Sequence, residues 1–308
     1  MKNMDYLSEL KKLKEKMIVK IAVTILIFIG FIILLYLAEE DKTHAIKHLI
    51  ILLLIGTLLL KTIIQMFIIR KDKQAYTKIY KDNIVSKCLK NKFENVDYKP
   101  TIDSFEGEQL PHDFVNVLGN IKIKGGISYN DYISAKSNEI AFQFADVEMT
   151  NEYRNKDDGY HGEYTTFKGQ WFVIESKSLL KENIQIIDKR FKGNKKNGLL
   201  SNKKYKKLNG NFNDINKYFE IFFEENANVT NIITSDFVKQ LSKIKETLKS
   251  KIFICIMSGK LYILLDSKID FFKPCIFSKF DEKEEKEKIS NQIEYIVNII
   301  DSMVLIKK

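Results

Sequence analysis

Residues that could do chemistry are sparse in this 308-residue chain. The strongest metal candidates are Asp146 and Glu148, which alternate along an expected strand, and His161 in a polar loop. Carboxylates and imidazoles bind divalent ions, and the loop holds further acids, namely Asp157, Asp158 and Glu163. The spacing matches no named metal site, and a solvent-facing strand with a polar hairpin loop explains the same residues. We therefore assign no metal, no cofactor and no catalytic residue, and keep an enzyme as an alternative function.

Nucleophilic and phosphate-binding motifs are absent from the sequence. It contains no HExxH, CxxC, GxxxxGK[ST] or GxSxG. The chain has three cysteines, Cys88, Cys255 and Cys275, and so few exclude a secreted scaffold held by disulfides. Cys255 lies in an apolar run, where a small buried side chain is expected.

The densest charged feature is a basic segment, residues 189–207, with nine Lys or Arg and no acid. Its basic residues are Lys189, Arg190, Lys192, Lys195, Lys196, Lys203, Lys204, Lys206 and Lys207. Contact with anionic lipid, nucleic-acid binding and a solvated loop are the competing interpretations. Only two aromatic residues, Phe191 and Tyr205, are available to stack on bases, and no nucleic-acid motif accompanies them. We expect no nucleic-acid partner, and take the lipid contact as a hypothesis.

Two long apolar runs indicate a transmembrane hairpin. Residues 21–38 carry no charge, and residues 49–69 carry only Lys61. Each run approaches the ~20 residues that a helix needs to cross a bilayer. A signal peptide has a shorter apolar core, and cleavage after Ala38 would leave Tyr36 where a small residue is required. We therefore predict spans at 17–38 and 49–69.

The distribution of Lys and Arg predicts the orientation. Residues 1–20 hold six Lys, whereas the short loop 39–48 holds two Lys and three acids. Five more Lys or Arg follow between residues 70 and 81. The net charge of +10 is therefore chiefly a topology signal. We expect a multi-pass membrane protein, with both termini and an amphipathic N-terminal segment, 1–16, in the cytoplasm.

Lys61 is the single charged residue within the two apolar runs, 21–38 and 49–69. It could belong to an ion pathway, which would make the protein a transporter component. A side chain that reaches the inner headgroups explains it better, because no intramembrane acid or histidine accompanies it.

The remainder predicts a juxtamembrane helix, 70–93, and a cytoplasmic α+β domain, 94–308, with a mostly antiparallel sheet. The expected strands are 132–135, 140–149, 165–175, 184–188, 218–224, 252–257 and 261–265. The expected helices are 235–249, capped by Ser235, and 282–304. We expect a hairpin turn at Ser137-Asn138 and a bulge at Gly169. Residues 100–126 and 154–163 read as irregular connections.

The order of several short motifs resembles the bacterial two-span membrane proteins of domain-of-unknown-function family 3137. The motifs are DYISAKSNEIAFQFADVEMT, TFKGQWFVIES, RFKG, YFEIFFEE, ITSDFVKQL and IFICIMSGKLYILL, across most of residues 20–280. The residues that carry the pattern are Asp131, Ile133, Phe142, Phe144, Asp146, Val147, Thr166, Phe167, Gly169, Phe191 and Gly193. Members often have a second acid beside Asp131, where this chain has Asn130.

The resemblance implies a topology and a fold, but no activity and no catalytic residue. It also implies, as a partner, a small membrane protein of the LemA type. The sequence thus predicts an integral membrane protein of unknown process, whose cytoplasmic domain binds or scaffolds partners at the inner leaflet.

Overall fold

The computed structural model describes residues 5–40, 45–102, 126–154, 161–175, 183–190, 205–208, 217–224, 233–248, 250–257, 259–277 and 280–304. The chain divides into two compact units. The helical unit comprises residues 1–87 and 273–288, and the sheet unit comprises residues 88–272 and 289–308.

Two long antiparallel helices form most of the helical unit. Helix α1 spans Asp5–Glu40 and α2 spans Ala45–Tyr80, with 36 residues each. At about 1.5 Å per residue each exceeds 50 Å in length. A π-helical turn, Lys81–Val85, continues α2 and leads into helix α3, Ser86–Lys92. Tyr76 and Tyr80 at the end of α2 and Ile84 in the π-helical turn, spaced four residues apart, are all buried.

Helix α1 has the length and composition of a membrane span. Within its stretch Tyr6–Ile33, a window of 18 residues has a mean hydropathy of 2.5, and only 6% of that window is buried. Within the described part of the chain, this is the one helix that passes the test of length and composition. A signal sequence near the N-terminus would pass the same test. The second span therefore stays a prediction.

Nine antiparallel strands form one sheet within the described residues, in the order β1-β2-β3-β4-β9-β8-β5-β7-β6. Their bounds are β1 Glu94–Ile102, β2 Ile127–Ser137, β3 Ile140–Arg154, β4 His161–Glu175, β5 Ile184–Asp188, β6 Tyr205–Lys207, β7 Phe219–Glu224, β8 Lys251–Met257 and β9 Lys260–Asp266. The predicted α+β class with a mostly antiparallel sheet is confirmed.

Two predicted connections are partly strand. Strand β1 includes Pro100, because a proline is tolerated at the edge of a sheet, where its missing N–H breaks no ladder bond. Strands β3 and β4 extend to Arg154 and His161, which pair with each other, so only residues 155–160 separate the two strands. Residues 103–125 and 155–160 lie outside the described part of the chain.

Two local details were predicted at the wrong residues, one position off for a turn and three positions off for a bulge. The β2–β3 turn consists of Asn138 and Glu139, both with positive φ, as a two-residue hairpin turn requires. The β3–β4 irregularity lies at Met149/Thr150, where the register skips Thr166. The predicted bulge at Gly169 is therefore wrong.

Gly169 is required by a close backbone approach instead. A Cβ at this position would lie 1.9 Å from the carbonyl oxygen of Leu265 and 2.8 Å from the amide nitrogen of Ser267. Any side chain on residue 169 would therefore clash with the end of β9. Gly193, the other motif glycine, lies outside the described residues.

Two helices pack against the sheet unit. Helix α4 spans Ser235–Leu248, and α5 spans Glu282–Val304, of which residues 289–304 belong to the sheet unit. The cap of α4 is Thr234 rather than Ser235, because the amide of Phe237 donates to the Thr234 hydroxyl over 3.2 Å. Helix α5 buries an apolar stripe at Ile289, Ile293, Ile296 and Ile300.

Both faces of the central strands are buried, which explains why β3 alternates poorly. One face carries a cluster that includes Ala145, Val147, Trp171 and Phe253. On the other face Phe144 packs against Phe172, Phe271 and Phe272. A strand that is covered on both sides reads as continuously apolar rather than alternating, and here the interruption is Asp146.

A buried carboxylate cluster as the candidate functional site

Asp146 lies in the middle of β3 and is only 4% exposed. Its neighbours across the sheet are Asn130 on β2 and Gln170 on β4. Its carboxylate accepts hydrogen bonds from Nε2 of Gln170 over 3.0 Å and from the backbone amide of Phe271 over 2.6 Å. Both of its oxygens therefore have an internal donor, one from the sheet and one from the segment after β9.

Gln170 and Ser267 complete the network around Asp146. The hydroxyl of Ser267 donates to Oε1 of Gln170 over 2.6 Å, and the backbone amide of Ile269 donates to that hydroxyl over 3.1 Å. Nε2 of Gln170 also donates to the carbonyl oxygen of Ile269 over 2.8 Å. The network fixes the 267–271 segment on the sheet.

Burial raises the pKa of Asp146 to about 7. The hydrogen bonds from Gln170 and Phe271 favour the charged form, and the negative charges of Asp131 and Asp270 oppose it. The net result is a carboxyl group that titrates near neutral pH. Such a group is typical of functional sites, although buried structural carboxyls also show it.

Asp131 is a second buried acid near Asp146. It lies in a bulge of β2, between Asn130 and Ile133, and has a φ of 56°. The hydroxyl of Tyr98, on the neighbouring strand β1, donates to Oδ1 of Asp131 over 2.5 Å. The left-handed conformation, which Asp tolerates better than most residues, permits this inward placement.

Glu148 lies on β3, two residues after Asp146, and its side chain is partly exposed. Its carboxylate accepts hydrogen bonds from Nζ of Lys168 and from the hydroxyl of Thr165, each over 2.9 Å. The Lys168 bond is the main reason that the pKa of Glu148 lies below its ordinary value. The negative charge of Glu148 is therefore balanced by Lys168 on the neighbouring strand β4.

A shallow, open depression with a cavity volume of about 10 Å³ lies between these groups. It is lined by Asn130, Asp146, Val147, Glu148, Lys168, Gly169, Ile269 and Asp270. Pockets for drug-sized ligands usually measure about 300–1,000 Å³. The depression suits water or a small ion rather than a substrate of that size.

The structure does not bring His161 to the acidic pair. His161 begins β4 and pairs with Arg154, nine residues along that strand from Gln170, the partner of Asp146. At about 3.3 Å per residue this separation is roughly 30 Å. In the described part of the chain, no three His, Cys, Asp or Glu side chains are grouped to hold a metal ion.

The described members of the basic segment lie at its two ends. The guanidinium of Arg190 bonds both carboxylate oxygens of Asp188, and Nζ of Lys207 lies 3.0 Å from Oε1 of Glu220. Lys189 and Lys206 are exposed. The remaining predicted lipid contacts, Lys192, Lys195, Lys196, Lys203 and Lys204, lie outside the described residues.

The remaining chemical candidates lie at separate places along the chain. Cys255 is buried, as predicted, and burial raises the pKa of its thiol to about 12. Cys275 is exposed. Lys61 is exposed on α2, which agrees with a side chain that reaches the headgroups.

The sequence did not identify the partners of Asp146. Gln170 and Ser267 carry no motif of their own, and Phe271 contributes only its backbone amide. One signal was present, because Asp146 and Gln170 are polar residues within strongly apolar strands. Two such residues on neighbouring strands are expected to pair.

One comparison with known proteins gave a match. The model of a family described as a protein of unknown function, DUF3137, matches residues 165–305, from β4 into α5. A search of curated proteins and a search of solved structures each gave no match. The motif strands at residues 131–147 precede the matched region. The match supports the resemblance to the DUF3137 family over the C-terminal part of this chain.

Proposed function

We propose that this protein is an integral membrane protein of the bacterial inner membrane whose cytoplasmic sheet unit binds or scaffolds partners at the inner leaflet. Helices α1 and α2 cross the bilayer as a hairpin, with both termini inside. The family whose model matches residues 165–305 is of unknown function, and no biological process is therefore assigned.

The single observation that carries the proposal is the apolar surface of the two long helices. Side chains of α1 such as Leu26, Phe28 and Ile32 are more than half exposed, and so are Leu60 and Phe67 of α2. A protein in water rarely exposes a continuous apolar surface of this extent. A bilayer removes its cost, because lipid chains contact these side chains.

The polar groups between the helices fit the same placement. The hydroxyl of Thr24 donates to Oε1 of Gln65 over 2.9 Å, and Nζ of Lys20 lies 2.5 Å from Oδ2 of Asp72. Polar side chains within membrane helices usually face a neighbouring helix. The Lys20–Asp72 pair lies at the predicted inner boundary, about one turn from Thr24 on α1 and about two turns from Gln65 on α2.

A binding role suits the sheet unit better than catalysis. Both carboxylate oxygens of Asp146 accept hydrogen bonds from within the protein, and Glu148 is paired with Lys168. A general acid or base needs an oxygen that can reach a substrate. The cluster instead fixes the segment after β9.

Topology is tested by labelling full-length protein in sealed cells with a thiol reagent that does not cross membranes. A cysteine placed at Thr43 should react from outside, and Cys88 only after permeabilisation. The variant Cys275→Ser removes the exposed thiol that would confuse the second measurement. Labelling of Cys88 in intact cells would contradict the orientation, and release of the protein by alkaline carbonate would contradict the spans.

The lipid contact of residues 189–207 is tested in nanodiscs that hold the full chain. Hydrogen exchange of this segment should slow in discs with anionic lipid and should not slow in zwitterionic discs. Charge reversal at Lys195, Lys196, Lys203 and Lys204 should remove the protection, as should high salt. Reversal of the exposed Lys239 and Lys243 on α4 is the control. Equal exchange in both lipids would exclude the contact.

Crosslinking and affinity capture from native membranes test the scaffolding role. A partner of the LemA type should be captured by the wild-type chain. Recovery of the chain alone, after efficient crosslinking, would count against a scaffold.

A further inference from the structure

The segment from Lys273 to Phe280 belongs to the helical unit, together with α1 and α2. Nζ of Lys14 on α1 donates to the carbonyl oxygen of Cys275 over 2.7 Å. The same ammonium group lies 5.8 Å from the centre of the Phe280 ring and 5.9 Å from that of Tyr76 on α2. Lys14 therefore joins the segment to both long helices.

These contacts place the segment at the depth of the lipid headgroups. Lys14 precedes Ile18, where the exposed apolar surface of α1 begins, by four residues. At 1.5 Å per residue this is about 6 Å along the helix. The headgroup layer on each side of the hydrocarbon core is also about 6 Å thick.

Phe277 is the most exposed large apolar side chain among the described residues, at 77%. The 273–280 stretch, KPCIFSKF, carries two lysines and no acid. Exposed Lys11 and Lys12 of α1 precede Lys14 by less than one turn. An aromatic ring among lysines is typical of segments that lie in a membrane interface.

We propose that the segment 273–280 is a third membrane contact, in which Phe277 inserts into the interfacial layer of an anionic bilayer beside α1. The proposal rests on the proposed membrane placement of α1. A docked protein fits less well, because a specific protein interface buries at least about 1,000 Å², which a single exposed ring does not offer. The contact would fix the connection between β9 and α5 to the membrane.

The proposal is tested with full-length protein in vesicles of phosphatidylcholine and phosphatidylglycerol, some of it brominated on the acyl chains near the headgroup. The variant Phe277→Trp reports on the segment, and Phe28→Trp reports on α1 with lipid brominated deeper in the chains. The wild type supplies the baseline, because its one tryptophan, Trp171, is fully buried. We expect brominated lipid to reduce the added emission of both variants.

The other outcomes distinguish a failure of the third contact from a failure of the proposed span. Quenching of Trp at 28 without quenching at 277 overturns the third contact and leaves the span intact. Loss of quenching at both positions overturns the proposed span and the contact together. A tryptophan at 277 that is shielded from aqueous iodide but not quenched by lipid would show a protein occupant, and would also overturn the contact. In purely zwitterionic vesicles quenching at 277 should fall, whereas quenching at 28 should not.

Discussion

Thr24 on α1 and Gln65 on α2 share a hydrogen bond of 2.9 Å within the predicted membrane spans. Its partners are 41 residues apart in sequence and belong to the two apolar runs. A bond between polar side chains in lipid fixes the rotation and the register of the helices. Gly30 and Gly56 contribute no close approach, because a Cβ at either position would meet nothing within 4 Å.

Replacing Gln65 by Leu should weaken the pairing of α1 and α2. The expected loss in the free energy of unfolding is about 0.6–1.7 kcal/mol, the range for such bonds between membrane helices. Unfolding of the full chain in mixed micelles, followed by far-ultraviolet circular dichroism, measures it. Thr57→Val is the control, because the Thr57 hydroxyl donates only to Leu54 of its own helix. An equal loss in both variants would mean that the interhelical bond contributes nothing.

Asp146→Asn should remove a dependence of stability on pH. Burial raises the pKa of Asp146 from 3.8 to about 7, so the folded protein binds this proton more tightly than the unfolded chain does. The contribution of Asp146 to the free energy of unfolding is therefore fully present below about pH 4. It falls as the pH rises towards 7, by up to about 1.4 kcal/mol per pH unit.

The measurement is the difference in unfolding free energy between wild type and variant at several pH values, followed by Trp171 emission. The difference should shift in favour of the variant between pH 4 and 7. Asp97→Asn, at an exposed position of β1, is the control and should show no such trend. A constant difference across this range would mean that Asp146 titrates at its ordinary pKa.

Much of the fold could be predicted because its signals are local. The helical spacing of Ile289, Ile293 and Ile300 and the apolar runs of β8 and β9 each depend on a few neighbouring residues. The partners of Asp146 depend on strand order instead, since β4 pairs with β9 across nearly a hundred residues. The reason for Gly169 was missed for the same cause, because the clashing backbone comes from β9.

Gly169→Ala should destabilise the sheet unit by about 3 kcal/mol or more, because the obstructing atoms are backbone and cannot rotate away. Gly126→Ala is the matched control, since its Cβ would meet only the Thr150 hydroxyl at 3.8 Å. Chemical denaturation followed by Trp171 emission measures both variants. If Gly169→Ala unfolded at the same denaturant concentration as the control, the close approach of β9 would be wrong.

Lys245→Met should destabilise the sheet unit by removing one partner of a buried carboxylate. The Asp188 side chain is 2% exposed; burial opposes its ionisation, yet hydrogen bonds from Arg190 and Lys245 hold its pKa below the ordinary value. Removing one partner of a buried ion pair costs about 3–5 kcal/mol of stability. The remaining contact of Asp188 with the half-exposed Arg190 should make the loss smaller here. Lys239→Met, at an exposed position of the same helix, is the control.

Combining Lys245→Met with Asp188→Leu should recover most of the loss, because no buried charge then lacks its partner. If the double variant were no more stable than Lys245→Met, the ammonium group would act through packing against Phe219 rather than through Asp188.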